Sequence, residues 1–160
     1  MKYATPLVIL ILFIGCTNKP NQIAENKKLD FERVDDSLAE GTSLIETREI
    51  NNKSAVIGDF LSRLWKLYGK PNEIEYEGFS YTLRDINSGL VFTAYSAGSG
   101  PAYGGKQEDA EKLKPIISRF NQQLEHIANA DCEIKIETDY GILRTGAKNG
   151  IPYDDYEEEK

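Results

Sequence analysis

Apolar and polar residues alternate along this chain with two different periods, which predict where its helices and strands lie. Apolar residues recur every three or four positions over residues 54–67 and 107–128, which predicts two amphipathic helices. Gly69 and Pro71 follow the first of these runs, and both residue types are typical of helix ends. The chain is therefore expected to carry two helices, with the first ending just before Gly69.

Strict alternation of apolar and polar residues predicts a β-hairpin after each helix. The first hairpin pairs residues 79–85 with 90–96, and the second pairs residues 132–137 with 142–145. Residues 43–50 predict one further strand ahead of the first helix. The order helix, hairpin, helix, hairpin predicts an α+β fold, an antiparallel sheet of four to five strands with the two helices packed on one face.

Neither period continues into the two ends of the chain. Residues 17–40 are polar and rich in Asn, Lys, Asp and Glu, which predicts a flexible tether. Residues 151–160 are mostly acidic and predict a mobile tail. The globular domain is therefore predicted to span residues 41–150.

An unbroken apolar run at residues 7–14 is too short to cross a bilayer, which takes about 20 apolar residues. Lys2 precedes this run, and Phe13-Ile14-Gly15-Cys16 closes it. Here the chain resembles the signal sequences of bacterial lipoproteins, which end in an apolar residue, a small residue and an obligatory cysteine. The alternative is an ordinary secretory leader in which the cysteine is incidental.

The lipoprotein resemblance, which covers residues 1–16, implies a specific processing of the chain. Residues 1–15 would be a signal peptide, cut off before Cys16, and residues 16–40 a lipidated tether. Diacylglycerol on the Cys16 sulfur and a fatty acid on the new amino terminus would hold the protein on a bacterial membrane, since each buried methylene contributes about 0.8 kcal/mol. Thr17 stands where an Asp would imply the inner membrane, so the resemblance implies the outer membrane, facing the periplasm or the cell surface.

Charge and cysteine content narrow the range of partners. The formal net charge of −7 gives no electrostatic support for binding nucleic acid, and no nucleic-acid partner is expected. The chain has two cysteines, so lipid on Cys16 leaves Cys132 without an intrachain disulfide partner. Cys132 alternates with charged neighbours and is predicted to point into the core as a small apolar residue.

No pattern of catalytic or metal-ligating residues emerges from the sequence. The sole histidine, His126, lies off the apolar stripe of the second predicted helix and is expected at the surface. The string Gly98-Ser99-Gly100 lacks the G-x-S-x-G spacing of a hydrolase nucleophile. We therefore expect no enzyme activity, no cofactor and no metal site. Abundant carboxylates leave one alternative open, an envelope enzyme or small-ligand binder with a carboxylate-lined groove.

The stretch of residues 96–105 predicts a recognition loop, because it contains four glycines and joins the first hairpin to the second helix. Its candidate partner-binding residues are Tyr95, Ser99 and Tyr103, to which we add Trp65 at the edge of the first helix. The alternatives are a tight connection over the edge of the core and, for Trp65, an aromatic residue at the core margin.

Small acidic α+β proteins without catalytic residues resemble, in general character, the immunity proteins that bacteria pair with secreted toxins. Size, charge and fold class carry this resemblance, and no motif specifies it. It implies a lipid-anchored, non-catalytic cell-envelope protein that binds a protein partner, in this case a toxin that acts in the envelope.

Overall fold

The computed structural model describes residues 29–48, 55–71, 73–75, 78–96 and 100–158. Over these ranges the protein is α+β, with two α-helices and antiparallel sheets. Two short 3-10 turns, Asp36–Ala39 and Gln107–Asp109, complete the secondary structure of the described residues. The elements in chain order are β1 (Phe31–Arg33), β2 (Ser43–Thr47), α1 (Val56–Tyr68), β3 (Glu73–Glu75), β4 (Gly78–Asp85), β5 (Val91–Ser96), β6 (Pro101–Gly105), α2 (Ala110–Leu124), β7 (Cys132–Thr138), β8 (Gly141–Lys148) and β9 (Ile151–Glu158).

The strands form two antiparallel sheets rather than one. The larger sheet has the order β1-β4-β5-β6-β2, and β3 pairs with the other end of β4. The smaller sheet has the order β7-β8-β9. The prediction of a single sheet of four to five strands is therefore wrong, because the second hairpin forms a sheet of its own with a strand that follows it.

Helix α1 closely matches the predicted helix and ends where glycine was expected to end it. Its apolar stripe is buried, and Gly69 adopts φ +74°, a conformation that glycine reaches at little cost. The buried apolar residues of the stripe are Ile57, Phe60, Leu61 and Leu64.

Helix α2 is shorter than predicted, because it ends at Leu124 instead of continuing to residue 128. At this end, the guanidinium Nη1 of Arg63 on α1 donates to three carbonyls, those of Leu124, Glu125 and Ile127, at 3.2, 2.8 and 2.7 Å. Asp59 holds the same guanidinium through both carboxylate oxygens, at 3.0 and 3.1 Å. The carbonyls at the end of α2 thus accept hydrogen bonds from a cation on α1, instead of from the amides of a further helical turn.

An aromatic cluster joins both helices to the larger sheet. The Tyr103 ring of β6 lies 6.3 Å from the ring of Phe60 on α1 and 6.3 Å from that of Phe120 on α2. Phe120 also contacts Phe92 of β5 at 5.5 Å and Phe31 of β1 at 5.1 Å. Since burial of one such side chain contributes about 1.5–3 kcal/mol, this cluster is a major source of stability.

The N-terminal boundary of the domain lies earlier in the chain than predicted. Phe31 is only 4% exposed, and β1 pairs with β4, so the predicted tether cannot extend to residue 40. Arg33 Nη1 donates to the carbonyls of Tyr68 and Lys70, at 3.0 and 2.5 Å, at the C-terminal end of α1. Phe31, Arg33 and the pairing of β1 with β4 therefore attach this polar segment to the domain.

The predicted acidic tail is also wrong over residues 151–158, because these residues form β9. Eight residue pairs join β9 to β8, from Gly141 with Glu158 to Lys148 with Ile151. The two-residue turn Asn149-Gly150 has φ +54° and +71°, as a type I′ hairpin turn requires. The signal for this third strand was therefore present in the sequence as an Asn-Gly pair.

Candidate functional site

Tyr95 and Tyr103 lie on opposite faces of the larger sheet, so they do not form one surface. Ala94 pairs with Tyr103, and Tyr95 pairs with Ala102. Successive residues of a strand point to opposite faces, and both Ala94 and Tyr103 are fully buried. Tyr95 is half-buried on the other face of β5.

The expectation that Tyr103 contacts a partner from an exposed loop is wrong, because residues 101–105 are the buried strand β6. Tyr103 is 0% exposed, and its hydroxyl donates to Asn121 Oδ1 at 2.6 Å. Asn121 Nδ2 in turn donates to the carbonyl of Ile117 at 2.9 Å. Burial raises the pKa of the Tyr103 hydroxyl well above its ordinary value. Tyr103 is therefore a core residue that joins β6 to α2.

Two of the glycines in the predicted recognition loop serve close packing. A Cβ atom on Gly105 would lie 2.3 Å from Leu113 Cδ1 of α2, and one on Gly104 would lie 2.5 Å from Thr93 Oγ1. A side chain at either position would force Leu113 or Thr93 to move, so glycine lets the strand approach these neighbours closely. The glycine content that predicted a recognition loop is thus explained, at these two positions, by the fold itself.

Of the remaining predicted site residues, Trp65 falls within the described part of the chain. Trp65 is half-buried and packs against the hydrophobic core, as the alternative interpretation of an aromatic residue at the core margin had it. Ser99 and Cys16 lie outside the described residues, as do the predicted signal peptide 1–15 and residues 17–28 of the predicted tether.

The smaller sheet carries the most exposed tyrosine side chains among the described residues. Tyr140, in the turn between β7 and β8, is 80% exposed, and Tyr156 on β9 is 47% exposed. Gly141 pairs with Glu158 and Leu143 with Tyr156, so both tyrosines lie at the same end of this sheet. We call Tyr140, Tyr156, Glu157 and Glu158 the tyrosine end.

Close backbone packing against α1 fixes the position of the smaller sheet. A Cβ atom on Gly58 would lie 2.4 Å from the carbonyl oxygens of both Gly146 and Tyr153. Only glycine therefore lets the first turns of α1 lie against β8 and β9 at this distance. The sheet is held by a helix rather than by a loop, which gives its exposed end a defined geometry.

Asp154 supplies a second link between β9 and α1. Its Oδ1 accepts from the Gly58 amide at 3.0 Å and from Thr145 Oγ1 at 2.5 Å. The residue before the helix, Ala55, makes no side-chain cap, so a carboxylate distant in sequence takes that role. The strand that had been predicted as a mobile tail thus caps the N-terminus of a core helix.

The outer face of the smaller sheet is polar and internally bonded. The Tyr153 hydroxyl donates to Glu133 Oε2 at 2.5 Å, reaching from β9 to β7 past Gly146. Burial and this hydrogen bond raise the pKa of Tyr153 to about 12. Arg144 Nη1 lies 3.2 Å from Glu157 Oε2. These contacts tie β9 to the two preceding strands.

Asp85, the most buried carboxylate in the described residues, is bonded to neighbouring side chains. Asp85 is 1% exposed, receives a bond from Arg119 Nη2, and accepts from the Ser88 hydroxyl at 2.6 Å. Burial alone would raise its pKa, but the bonds from Ser88 and Arg119 and the charge of Arg119 outweigh burial and hold that pKa below its ordinary value. Asp85 is therefore an ionised anchor for the turn that follows β4.

Cys132 and His126 are the cysteine and the histidine of the described residues. Cys132 is half-buried against the core, and burial raises the pKa of its thiol, which keeps it in the less reactive protonated form. His126 is exposed, as predicted. No group of three or more His, Cys, Asp or Glu residues within the described ranges is arranged to hold a metal ion.

Comparisons with known proteins add no family assignment. No family model, no curated protein and no solved structure matches this chain. Among the described residues, no helix has the length and apolar character needed to cross a membrane.

Proposed function

We propose that this protein is a lipid-anchored, non-catalytic protein of the bacterial cell envelope that binds a protein partner through the tyrosine end. The anchor is lipid on Cys16 and is supported by the lipoprotein-like segment of residues 1–16. The single observation that carries partner binding is the exposure of Tyr140 and Tyr156 at one end of the smaller sheet, at 80% and 47%.

Exposed tyrosines on a rigid element suit protein recognition. A tyrosine ring offers a large contact area, loses little conformational entropy, and carries a hydroxyl that bonds a partner. The contacts of Gly58 and Asp154 hold the sheet in place before any partner arrives. A surface organised in advance loses less free energy on binding than a loop that must become ordered.

The packing of the larger sheet helps to explain why the smaller sheet carries the site. We propose that both helices lie on one face of the larger sheet, and the contacts of both Phe60 and Phe120 with the Tyr103 ring support this arrangement. The helices and the core then cover that face, whereas Tyr140 and Tyr156 of the tyrosine end are exposed.

The partner we propose is a toxin that acts in the cell envelope, which makes this chain an immunity protein of the outer membrane, facing the periplasm or the cell surface. An inhibitor has to meet its target where the damage occurs, and lipid on Cys16 would keep it there. The net charge of −7 favours a partner with a basic surface, because opposite charges accelerate encounter.

Affinity capture from detergent-solubilised envelopes tests this proposal. The lipidated wild-type chain is compared with a Tyr140→Ser, Tyr156→Thr variant and with Leu44→Ser as a matched control. Leu44 is 57% exposed on β2 of the larger sheet, so its replacement also removes exposed apolar surface but leaves the tyrosine end intact. Tyr95→Ala and Trp65→Ala test the residues that the sequence had suggested.

The proposal expects one discrete protein to be captured by the wild type and by the Leu44, Tyr95 and Trp65 variants. The double tyrosine variant should lose at least about tenfold in affinity, which corresponds to about 1.4 kcal/mol. Capture that is unchanged by the double variant would mean that the tyrosine end is not the binding surface. Cooperative thermal unfolding of each variant, well above the temperature of the capture experiment, establishes that it is folded.

A further inference from the structure

The two edge strands of the smaller sheet, β7 and β9, pair with no further strand in the described part of the chain. Of these two, β9 has eight residues, pairs on its inner side with β8 and carries the exposed Tyr156. In an antiparallel ladder, alternate residues direct their backbone N–H and C=O groups toward and away from the neighbouring strand. An edge strand of this length therefore presents a row of hydrogen-bonding groups.

Pro152 indicates which residues face that edge. Proline has no N–H, and in sheets it occurs where that group would point away from the neighbouring strand. Residue 152 pairs with Ala147 within the ladder, so the same alternation directs the backbone groups of Asp154 and Tyr156 away from β8. A strand that docks on β9 would thus meet these residues first.

The charges on β9 discriminate between possible occupants of the edge. Asp155, Glu157 and Glu158 are exposed, and Asp154 caps α1 from the same strand. A second copy of this chain that paired through β9 would bring these carboxylates together, and like charges on paired strands destabilise pairing. The carboxylates therefore oppose self-association and favour a strand that carries positive charge.

We infer that the edge of β9 binds an extended, basic segment of the protein partner by strand addition. This inference rests on the proposed protein-binding function and specifies the chemistry of its partner. Backbone hydrogen bonds along β9 supply affinity, and lysine or arginine side chains opposite Asp155 and Glu157 supply selectivity. On the other face of the added strand, the Tyr156 ring covers an apolar or aliphatic side chain.

A short synthetic peptide of alternating lysine and valine is the probe, and titration calorimetry on the folded chain is the measurement. The wild type is expected to bind this peptide and to reject the same peptide with glutamate in place of lysine. Methylating the alternate backbone amides of the lysine peptide should weaken binding by at least about tenfold, because strand addition needs those donors. Binding should also weaken as salt is raised.

Reversing the charges on β9 is the decisive arm of the test. The Asp155→Lys, Glu157→Lys variant should lose the lysine peptide and gain the glutamate peptide. The matched control is Glu108→Lys, Glu111→Lys, which changes the net charge by the same amount at two exposed residues, one in the 3-10 turn before α2 and one in its first turn. This control should keep the preference of the wild type, since its new charges lie on a different element.

Three outcomes would overturn the inference. One is failure of the wild type to bind the lysine peptide, another is equal binding of the amide-methylated peptide, and the third is a dimer whose formation depends on β9. Envelope capture that depends on Tyr140 and Tyr156 but survives the charge reversal would leave the proposed function standing and refute strand addition. Absence of any tyrosine-dependent capture would instead refute the proposed function.

Discussion

The carboxylate of Asp154 on the last strand accepts a hydrogen bond from the Gly58 amide, at 3.0 Å, in the first turn of α1. Ninety-six positions of sequence separate these two residues. The contact makes the C-terminal strand part of the folded core and holds the surface that we propose as the binding site.

Removal of the Asp154 carboxylate should therefore destabilise the whole domain. Asp154→Ala leaves the Gly58 amide and the Thr145 hydroxyl without this acceptor, and loss of a helix cap typically costs about 1 kcal/mol. Urea unfolding measures the change. The matched control is Asp155→Ala on the adjacent, exposed position, which should change stability by less than about 0.5 kcal/mol. Equal effects of the two variants would contradict the role of the cap.

Arg63→Met should destabilise the domain more than removal of an exposed arginine. Arg63 joins Asp59 to three carbonyls at the C-terminal end of α2, and hydrogen bonds from a charged group contribute about 1.5–3 kcal/mol. Arg144→Met removes a pair with the exposed Glu157 and should cost no more than about 1 kcal/mol. Thermal unfolding of both variants provides the comparison, and a ranking in the opposite order would be inconsistent with this assignment.

The acid stability of the domain should depend on Asp85. Its pKa is lowered in the folded state, so its contribution to stability is present above the unfolded pKa of about 3.9 and is lost as the pH falls through the lower folded value. Asp85→Asn should lower the free energy of unfolding at pH 7 and flatten its decline in acid. Glu111→Gln, which alters an exposed ion pair on α2, is the control and should leave the profile unchanged. An acid profile of Asp85→Asn that parallels that of the wild type would contradict the prediction.

Much of the fold could be predicted because regular alternation identifies its main elements. Helix α1 and the hairpin of β4 and β5 agree closely with the patterns that predicted them, since both elements bury one continuous apolar face. Strand β6 could not be found in this way, because Pro101, Gly104 and Gly105 are typical of loops. Its position between β5 and β2, and not its own composition, makes it a strand.

The candidate site was missed for a related reason. Four acidic residues between 154 and 158 favour solvent over a core, and they predicted a tail. The strand forms because the Asn149-Gly150 turn directs it back along β8 and because Asp154 accepts a hydrogen bond from the Gly58 amide of α1. The error at Tyr103 is the reverse, because the sequence predicted an exposed residue and the structure buries it. Nothing in a glycine-rich stretch indicates that its tyrosine is buried.

The lipid anchor gives a prediction that fatty-acid labelling and cell fractionation check. Cys16→Ser should abolish labelling of the chain with radioactive fatty acid and release it from the membrane fraction, because the thiol that carries the lipid is lost. Cys132→Ser is the matched control and should keep both properties, since Cys132 is half-buried against the core. Fatty-acid labelling that persists in Cys16→Ser would refute the anchor.

Photo-crosslinking in intact cells tests the central claim most directly. A photo-reactive phenylalanine analogue is placed at residue 156 on β9 or, as a control, at the exposed residue 126 beyond α2. A lipid-anchored protein that binds its partner through the tyrosine end should form one discrete crosslinked product with an envelope protein from residue 156 and none from residue 126. The absence of a product at 156, or the same products from both positions, would contradict that claim.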